Sequence, residues 1–436
     1  MNRGGYLWHL ILSMGTRLTT IVVRLLRNVL LARILGPADR GLFALLSALP
    51  DLVAALTSGG LNTAVGYNAA RGVPIGVLLT QILVYGCLLA GATTLAGVAL
   101  LRGFGGALAF VDQLGPLLWL LLLAVPLTVL KSGLLTLHNA DERIGPFNAL
   151  RLLESLAPLV LFVALWLLLP RDQMLIAALA SWLLGLAAVV VAGWRWLARF
   201  HDLQPQWNKT IQRALLCFGA KSHPDTICQQ FMRRADYLLI GAMLPAAALG
   251  HYAMATVAAE LLLIVPEAVT TPLMKRLLRQ GEGIQDLTAL ALRLTATAML
   301  VACVVTALIG EWLIVVLFGA PYAPAYPALL ALLPGVFGLC YASILRLDLL
   351  GKELPGSLSL LMGMATAVDV ALVLWLIPKW GIVGAGIASS VAYLFVTVGM
   401  LEMYCRSGGA LWRSLILLPG DVAAVAAMLR GKRGQT

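Results

Sequence analysis

Apolar residues run through this chain in long blocks separated by short polar breaks. Blocks of about 20 or more residues, enough to cross a bilayer as helix, lie at 8–35, 42–66, 74–101, 114–137, 146–169 and 173–197. After a polar stretch they resume at 213–243, 250–273, 287–309, 324–347, 356–377 and 381–404. The pattern predicts an all-α polytopic membrane protein of about twelve transmembrane helices. The stretch 198–212, which contains HDLQPQWNKT, is too short for a soluble domain. It reads as a cytoplasmic linker between two six-helix lobes, 1–197 and 213–405. Residues 406–436 form a tail, apolar from Leu411, broken at Pro419 and Gly420, and ending in Arg430, Lys432 and Arg433. Such a segment is expected to lie at the cytoplasmic interface.

The first block departs from the pattern. Between Ser13 and Gly41 it carries Arg17, Arg24, Arg27 and Arg33. On a helix, Ser13, Arg17, Thr20, Arg24, Arg27 and Asn28 fall within about 100° of one another, opposite a face of Leu, Ile and Val. An arginine at the centre of a spanning helix costs roughly 2.5–3.5 kcal/mol on insertion scales. Three on one stripe are therefore expected to face a basic, water-filled cavity that receives an anion. Arg33, off the stripe and near the helix end, reads as an interfacial anchor.

Composition agrees with a membrane-embedded chain. Of 436 residues, 61% are hydrophobic and 12% charged, and the mean hydropathy is +0.92. A net charge of +11 would suggest nucleic acid in a soluble protein. Here it follows the bias of cytoplasmic loops: seventeen Lys and Arg fall on one side of the predicted topology and only Arg40, Arg102, Arg171 and Lys379 on the other. That asymmetry places both termini in the cytoplasm. The first block lacks a cleavage site and is expected to be retained. Neither the six cysteines nor the five histidines have metal-ligand spacing, so no metal, cofactor or catalytic residue is expected.

The two halves superpose in sequence at one ungapped offset of 209 residues. Gly41-Leu-Phe-Ala meets Gly250-His-Tyr-Ala, Asp51 meets Glu260, Arg143 and Pro146 meet Lys352 and Pro355, Trp166 meets Trp375, and Arg24 meets Arg233. Six helices per half give both halves the same orientation, with a solute site between them. Other intramembrane polar groups are candidates by default. Asp51, Ser58 and Asn62 share a face of the second helix; Thr256, Glu260 and Glu267 share one of the eighth. The seventh carries Lys221, Asp225, Gln229 and Asp236, with Arg233 at the edge. Arg151 and Glu154 read as a local pair, whereas Lys131 has no partner on its own helix and reads as a substrate contact. Asp51 and Glu260 either neutralise the arginines or cap helix ends. Asp236 and Asp369 are further counter-charge or ion-coupling candidates, Asp369 being equally suited to a helix–helix hydrogen bond. Guanidinium forks match phosphate oxygens, so the expected ligand is an anion held by Arg17, Arg24, Arg27, Arg233 and Lys131.

The run LLARILGPADRGLFALL (Leu30–Leu46), followed by SGGLNTAVGYNAARG (Ser58–Gly72), resembles the first two helices of polysaccharide flippases. These belong to the multidrug/oligosaccharidyl-lipid/polysaccharide exporter superfamily. RRADYLLIGAMLPAAALGHYAMA (Arg233–Ala255) is similar to their seventh and eighth helices, and LIPKWGIVGAGIASSVAYLF (Leu376–Phe395) to their last loop and helix. The resemblance implies a MATE-like fold of two pseudo-symmetric six-helix lobes around a cavity that opens alternately to each side. It implies a bacterial inner-membrane flippase moving an undecaprenyl-diphosphate-linked oligosaccharide for cell-surface or exopolysaccharide synthesis, alongside other polysaccharide-assembly membrane proteins. Related flippases of lipid-linked peptidoglycan precursors carry cavity-facing arginines on the first helix. Arg24 and Arg27 stand in the comparable part, while Arg17 rests on the face argument alone. Two departures stand out: Arg233 is accompanied by Asp236 on the seventh helix, and the polar position early in the eleventh is Asp369. Coupling to H+, to Na+ or to the membrane potential stays open at this point. So do two other classes: a multidrug or cation antiporter of the same superfamily, governed by its acidic residues, and a membrane-embedded glycan polymerase or ligase. The latter needs an acid, base or metal cluster on a sizeable loop, and the loops here are short.

Overall fold

The computed structural model describes residues 3–57, 60–103, 115–141, 144–204, 206–266, 284–351 and 355–407. Among them every regular element is helical: α1 (Arg3–Thr57), α2 (Leu61–Ala70), α3 (Ile75–Gln81), α4 (Leu88–Gly103), α5 (Leu121–Ala140), α6 (Ile144–Leu168), α7 (Met174–Ala198), α8 (Lys209–Met243), α9 (Ala246–Leu262), α10 (Ile284–Phe318), α11 (Tyr326–Gly351) and α12 (Pro355–Arg406). A π-helical turn, Ile82–Cys87, joins α3 to α4. All twelve predicted blocks fall mainly on helix where they are described, with breaks at Gly60 and Leu263 inside two of them. Eight helical stretches among the described residues are long and apolar enough to cross a membrane. The heavily charged α1 and α8 are not among them. The chain is an all-α, multi-pass membrane protein. Ser58, Arg143, Glu267, Lys352, the tail beyond 407, and the side chains of Ser13, Lys221, Asp225 and Pro355 lie outside the described residues.

Two predicted blocks share α1 because the chain bends without a loop. Gly36 takes φ 70°, ψ 174°, a region open essentially to glycine. Pro37 then opens the next helical run, where its missing N–H costs nothing. Gly381 does the same inside α12, with φ 57° and ψ −134°.

The chain forms two compact units: residues 1–253 with 317–321, and residues 254–316 with 322–436. In the first, α1 packs against α5, α6, α7 and α8. Its tightest approach is between backbones. A Cβ on Gly41 would land on the carbonyl oxygen of Ala246, and a Cβ on Gly250 on that of Pro37. These two contacts exchange under the offset of 209 residues, since Pro37 corresponds to Ala246 and Gly41 to Gly250. The contact is therefore self-complementary in the way of a two-fold axis, and it exists because small residues let helix backbones meet where lipid supplies no hydrophobic drive.

Residues after α7 are docked rather than loose. His201 Nε2 lies 3.0 Å from Asp141 Oδ2. The Gln206 N–H donates to Thr80 Oγ1 at 3.1 Å. Leu203 packs on the buried cluster of Leu78, Leu79, Leu134 and Leu197.

In the second unit α11 and α12 form the main pair. Pro334 interrupts α11, and the hydroxyl of Ser390 fills the gap. It accepts from the Gly335 N–H at 3.1 Å and donates to the Ala331 carbonyl at 2.5 Å. The serine thus bridges the two backbone groups that an uninterrupted helix would pair directly.

Gly41→Ala forces a methyl onto a carbonyl and is expected to lower stability by about 1–3 kcal/mol, read as an earlier thermal melt of the detergent-solubilised protein. Ser390→Ala leaves an N–H and a C=O unpaired in an apolar setting and is expected to cost about 1–3 kcal/mol in the same measurement. An unchanged melt for either variant contradicts the corresponding contact.

Candidate functional site

The stripe on α1 is real in three dimensions and graded along its length. Leu18, Val22 and Leu26 are exposed on the opposite face, which suits a helix with one side to lipid. On the stripe, Arg17 is exposed and the Arg24 side chain is 47% exposed. Thr20 between them is buried. Further along, Arg27 has a buried Nε with no hydrogen-bond partner. Beyond it Leu31 and Leu35 are packed away. The N-terminal half of the stripe is accessible and the C-terminal half is closed.

Around Arg24 and Arg27 stand side chains from three other places. Lys131 of α5 donates to Glu154 Oε1 of α6 at 2.9 Å. The other carboxylate oxygen, Oε2, lies 3.8 Å from the Arg24 guanidinium. Lys131 therefore has no partner on its own helix, in line with the sequence reading, but has one across the helix pair. Arg151 lies over the Phe147 ring, 5.5 Å from its centroid, and still acts on Glu154 electrostatically, but the direct contacts of Glu154 are with Lys131 and Arg24. The third contribution is Arg40. Counted from sequence as an outer-loop charge, it is 4% exposed and donates to Asn28 Oδ1 at 2.8 Å. Its guanidinium also sits over Phe43, 5.4 Å from the ring centroid. The turn at Gly36 and Pro37 folds it back onto the stripe. Loop charges are counted without regard to direction, so only the Gly-Pro break four residues earlier hinted at this.

Arg27 lies in the field of Arg24, Arg40 and Glu154. Among the described residues, Arg24, Arg151 and Lys131 lie in the field of Glu154, and Arg24 and Arg40 in that of Arg27, an excess of positive charge. Such an excess beside a bundle interior is costly unless water or an anion meets it. Arg33 is exposed as expected, but its Nε donates to the Leu317 carbonyl at 2.9 Å.

The remaining candidates are placed apart from this group. Arg233 is exposed on α8. Asp236 is buried and fully engaged: Oδ2 accepts from Tyr252 Oη at 2.7 Å, and Oδ1 accepts from the Tyr237 N–H at 2.8 Å. Tyr237 and Tyr252 meet edge to face with ring centroids 6.0 Å apart. Asp51 is half-buried on α1, and Glu260 is exposed on α9. Asp369 is buried in α12, in the second unit. Among the described residues no group of three or more His, Cys, Asp or Glu could hold a metal.

Residues 30–327 match a family described as polysaccharide biosynthesis protein. No match is found among curated protein sequences. Among solved structures, the lipid II flippase MurJ in an inward closed conformation aligns with a TM-score of 0.74 at 14% identity, over 91% of this chain and 87% of that one. An inward-facing MATE family multidrug resistance transporter of the MOP superfamily aligns with a TM-score of 0.61 at 15% identity, over 91% and 94%. An outward-facing one gives 0.59 at 17%, over 92% and 94%. At these identities the likeness is one of fold. Family match and fold agree: this chain is a member of the polysaccharide biosynthesis protein family, built as a flippase and transporter of the MOP superfamily is built.

Proposed function

We propose that this protein is a flippase that carries a polyprenyl-diphosphate-linked oligosaccharide across the bacterial inner membrane for cell-surface or exopolysaccharide synthesis. The observation that carries the reading is the sign of the site. A membrane helix presents Arg24 and Arg27 beside Lys131 and Arg40, and the Arg27 Nε is buried without a partner. A diphosphate offers several acceptor oxygens and about two negative charges, a fitting load for forked guanidinium donors. The family match supports a polysaccharide role, and the name of the similar MurJ structure supports a lipid-linked cargo.

In this reading Arg24 and Arg27 hold the diphosphate, with Arg17 at the entrance and Arg40 closing the far end of the stripe. Arg233 is available from α8. The glycan crosses in water, because its hydroxyls would lose their hydrogen bonds in hydrocarbon. The polyprenyl tail stays in lipid throughout. In this reading the chain crosses the membrane twelve times with both termini cytoplasmic, which the bias of its loop charges supports, and rocking of two six-helix lobes exposes the site to each side in turn. Asp369, buried in α12, is the carboxylate assigned here to a coupling cation, since both oxygens of Asp236 are already engaged.

The test is a vesicle assay that counts lipid-linked oligosaccharide arriving at the opposite leaflet. Losing a charge-assisted hydrogen bond costs about 1.5–3 kcal/mol, so Arg24→Ala and Arg27→Ala are each expected to slow transfer by roughly ten- to a hundredfold. Arg40→Gln, which keeps length and polarity, is expected to slow it by a smaller factor. Undiminished transfer by both alanine variants, each folded and inserted, contradicts the reading. Loss of transport only on replacing carboxylates points instead to the cation antiporters that share the fold.

A further inference from the structure

The cluster around Arg24 already holds an anion, and it belongs to the protein. One carboxylate, Glu154, spans Lys131 and Arg24, and Arg24 is a cation that the proposed function assigns to the diphosphate. Its Oε1 accepts the Lys131 hydrogen bond at 2.9 Å, and its Oε2 faces Arg24 at 3.8 Å. We propose that Glu154 is a resident counter-anion: it occupies the anion site when the site is empty and competes with the incoming diphosphate for Arg24 and Lys131. The inference rests on the phosphate-clamp reading of Arg24 and Arg27.

Three features carry it. First, the two contacts are unequal. Lys131 is committed to Glu154 by a hydrogen bond, whereas the Arg24 contact is longer than a hydrogen bond. The side chains of Lys131 and Glu154 are 15% and 19% exposed, against 47% for Arg24. Arg24 is thus attracted to the carboxylate without being immobilised by it, and is free to turn to a ligand. Second, the backbone that carries Glu154 is held in place. Four residues on, Pro158 presses α6 against α7 so closely that a Cβ on Gly185 would stand 2.5 Å from the proline ring. Third, the charges need it. Without Glu154, the guanidinium groups of Arg24 and Arg27 and the Lys131 ammonium would face one another uncompensated in a half-buried site, the situation that makes breaking such a pair costly.

The consequence is exchange rather than capture. An anion of charge about −2 entering a site of uncompensated cations in a low-dielectric setting would bind tightly and leave slowly. A carboxylate already there weakens entry and takes back the cations on departure. It also sets a threshold: a diphosphate, with more charge and more acceptor oxygens, displaces it more readily than a monoanionic lipid headgroup does.

The experiment uses the full chain in lipid nanodiscs titrated with inorganic pyrophosphate. Glu154→Gln is expected to bind pyrophosphate about tenfold or more tightly than the wild type, release it more slowly, and transfer lipid-linked oligosaccharide more slowly in vesicles. A purely structural role for Glu154 predicts equal or weaker binding, and that result overturns the inference. If Glu154→Gln does not fold with Lys131 left unpaired, the comparison is made in the Lys131→Gln background. There the added Glu154→Gln is still expected to tighten binding, because Arg24 is released, and no tightening again overturns it. Arg24→Ala and Arg27→Ala separate the two readings. If they bind pyrophosphate as the wild type does, the clamp itself fails and the inference falls with it. If they lose binding while removal of Glu154 brings no gain, only the inference fails.

Discussion

A guanidinium held within a membrane bundle must meet water, a counter-charge or a ligand, and the first unit is arranged around that requirement. Its first helix turns leucine and valine one way and arginine the other. On the arginine side, Arg24 meets Glu154, a carboxylate that it shares with Lys131. Arg40 is brought back over Asn28 by the bend at Gly36. That bend is kept in place by the backbone contact of Pro37 and Gly41 with Ala246 and Gly250. The element that closes the far end of the stripe is thus also the one through which the sequence repeat touches itself.

Other buried polar groups in the molecule are handled differently, and the contrast gives the arginine site its meaning. Asp236 has acceptor bonds on both oxygens, from Tyr252 and from its neighbour's N–H. The backbone gap beside Pro334 is bridged by one serine hydroxyl. These are satisfied groups whose role is to hold helices together. The Arg27 Nε is buried and unmet. Unlike those groups, the Arg27 guanidinium is a permanent charge on the accessible stripe, and an anionic ligand would complete its pairing.

Much of this was legible in the sequence, for physical reasons. Helix period and bilayer thickness together fix blocks such as 146–169 and the face shared by Arg17, Arg24 and Arg27, because both depend only on local spacing. The offset that pairs Gly41 with Gly250 was legible as an alignment. That the two glycines sit in one backbone contact was not, since nothing local encodes which helices meet. The same limit hid the partner of Lys131, twenty-three residues away on another helix, while the nearness of Arg151 to Glu154 follows from local spacing alone. The burial of Arg40 is not legible in a count of loop charges, which carries no direction; the glycine break turns the side chain onto Asn28. The hydroxyl of Tyr252, sixteen residues from Asp236, carries no sequence signal at all.

The central claim is that the α1 arginines read charge on the head of a lipid. It is tested most directly by comparing the affinity of the nanodisc-embedded protein for undecaprenyl diphosphate, undecaprenyl phosphate and undecaprenol. The account predicts tightest binding for the diphosphate, weaker for the monophosphate and weakest for the alcohol. It also predicts that Arg24→Gln with Arg27→Gln collapses the ranking by weakening the two phosphates while leaving the alcohol unchanged. Equal affinities for the three lipids, or a ranking that survives loss of both arginines, would contradict it.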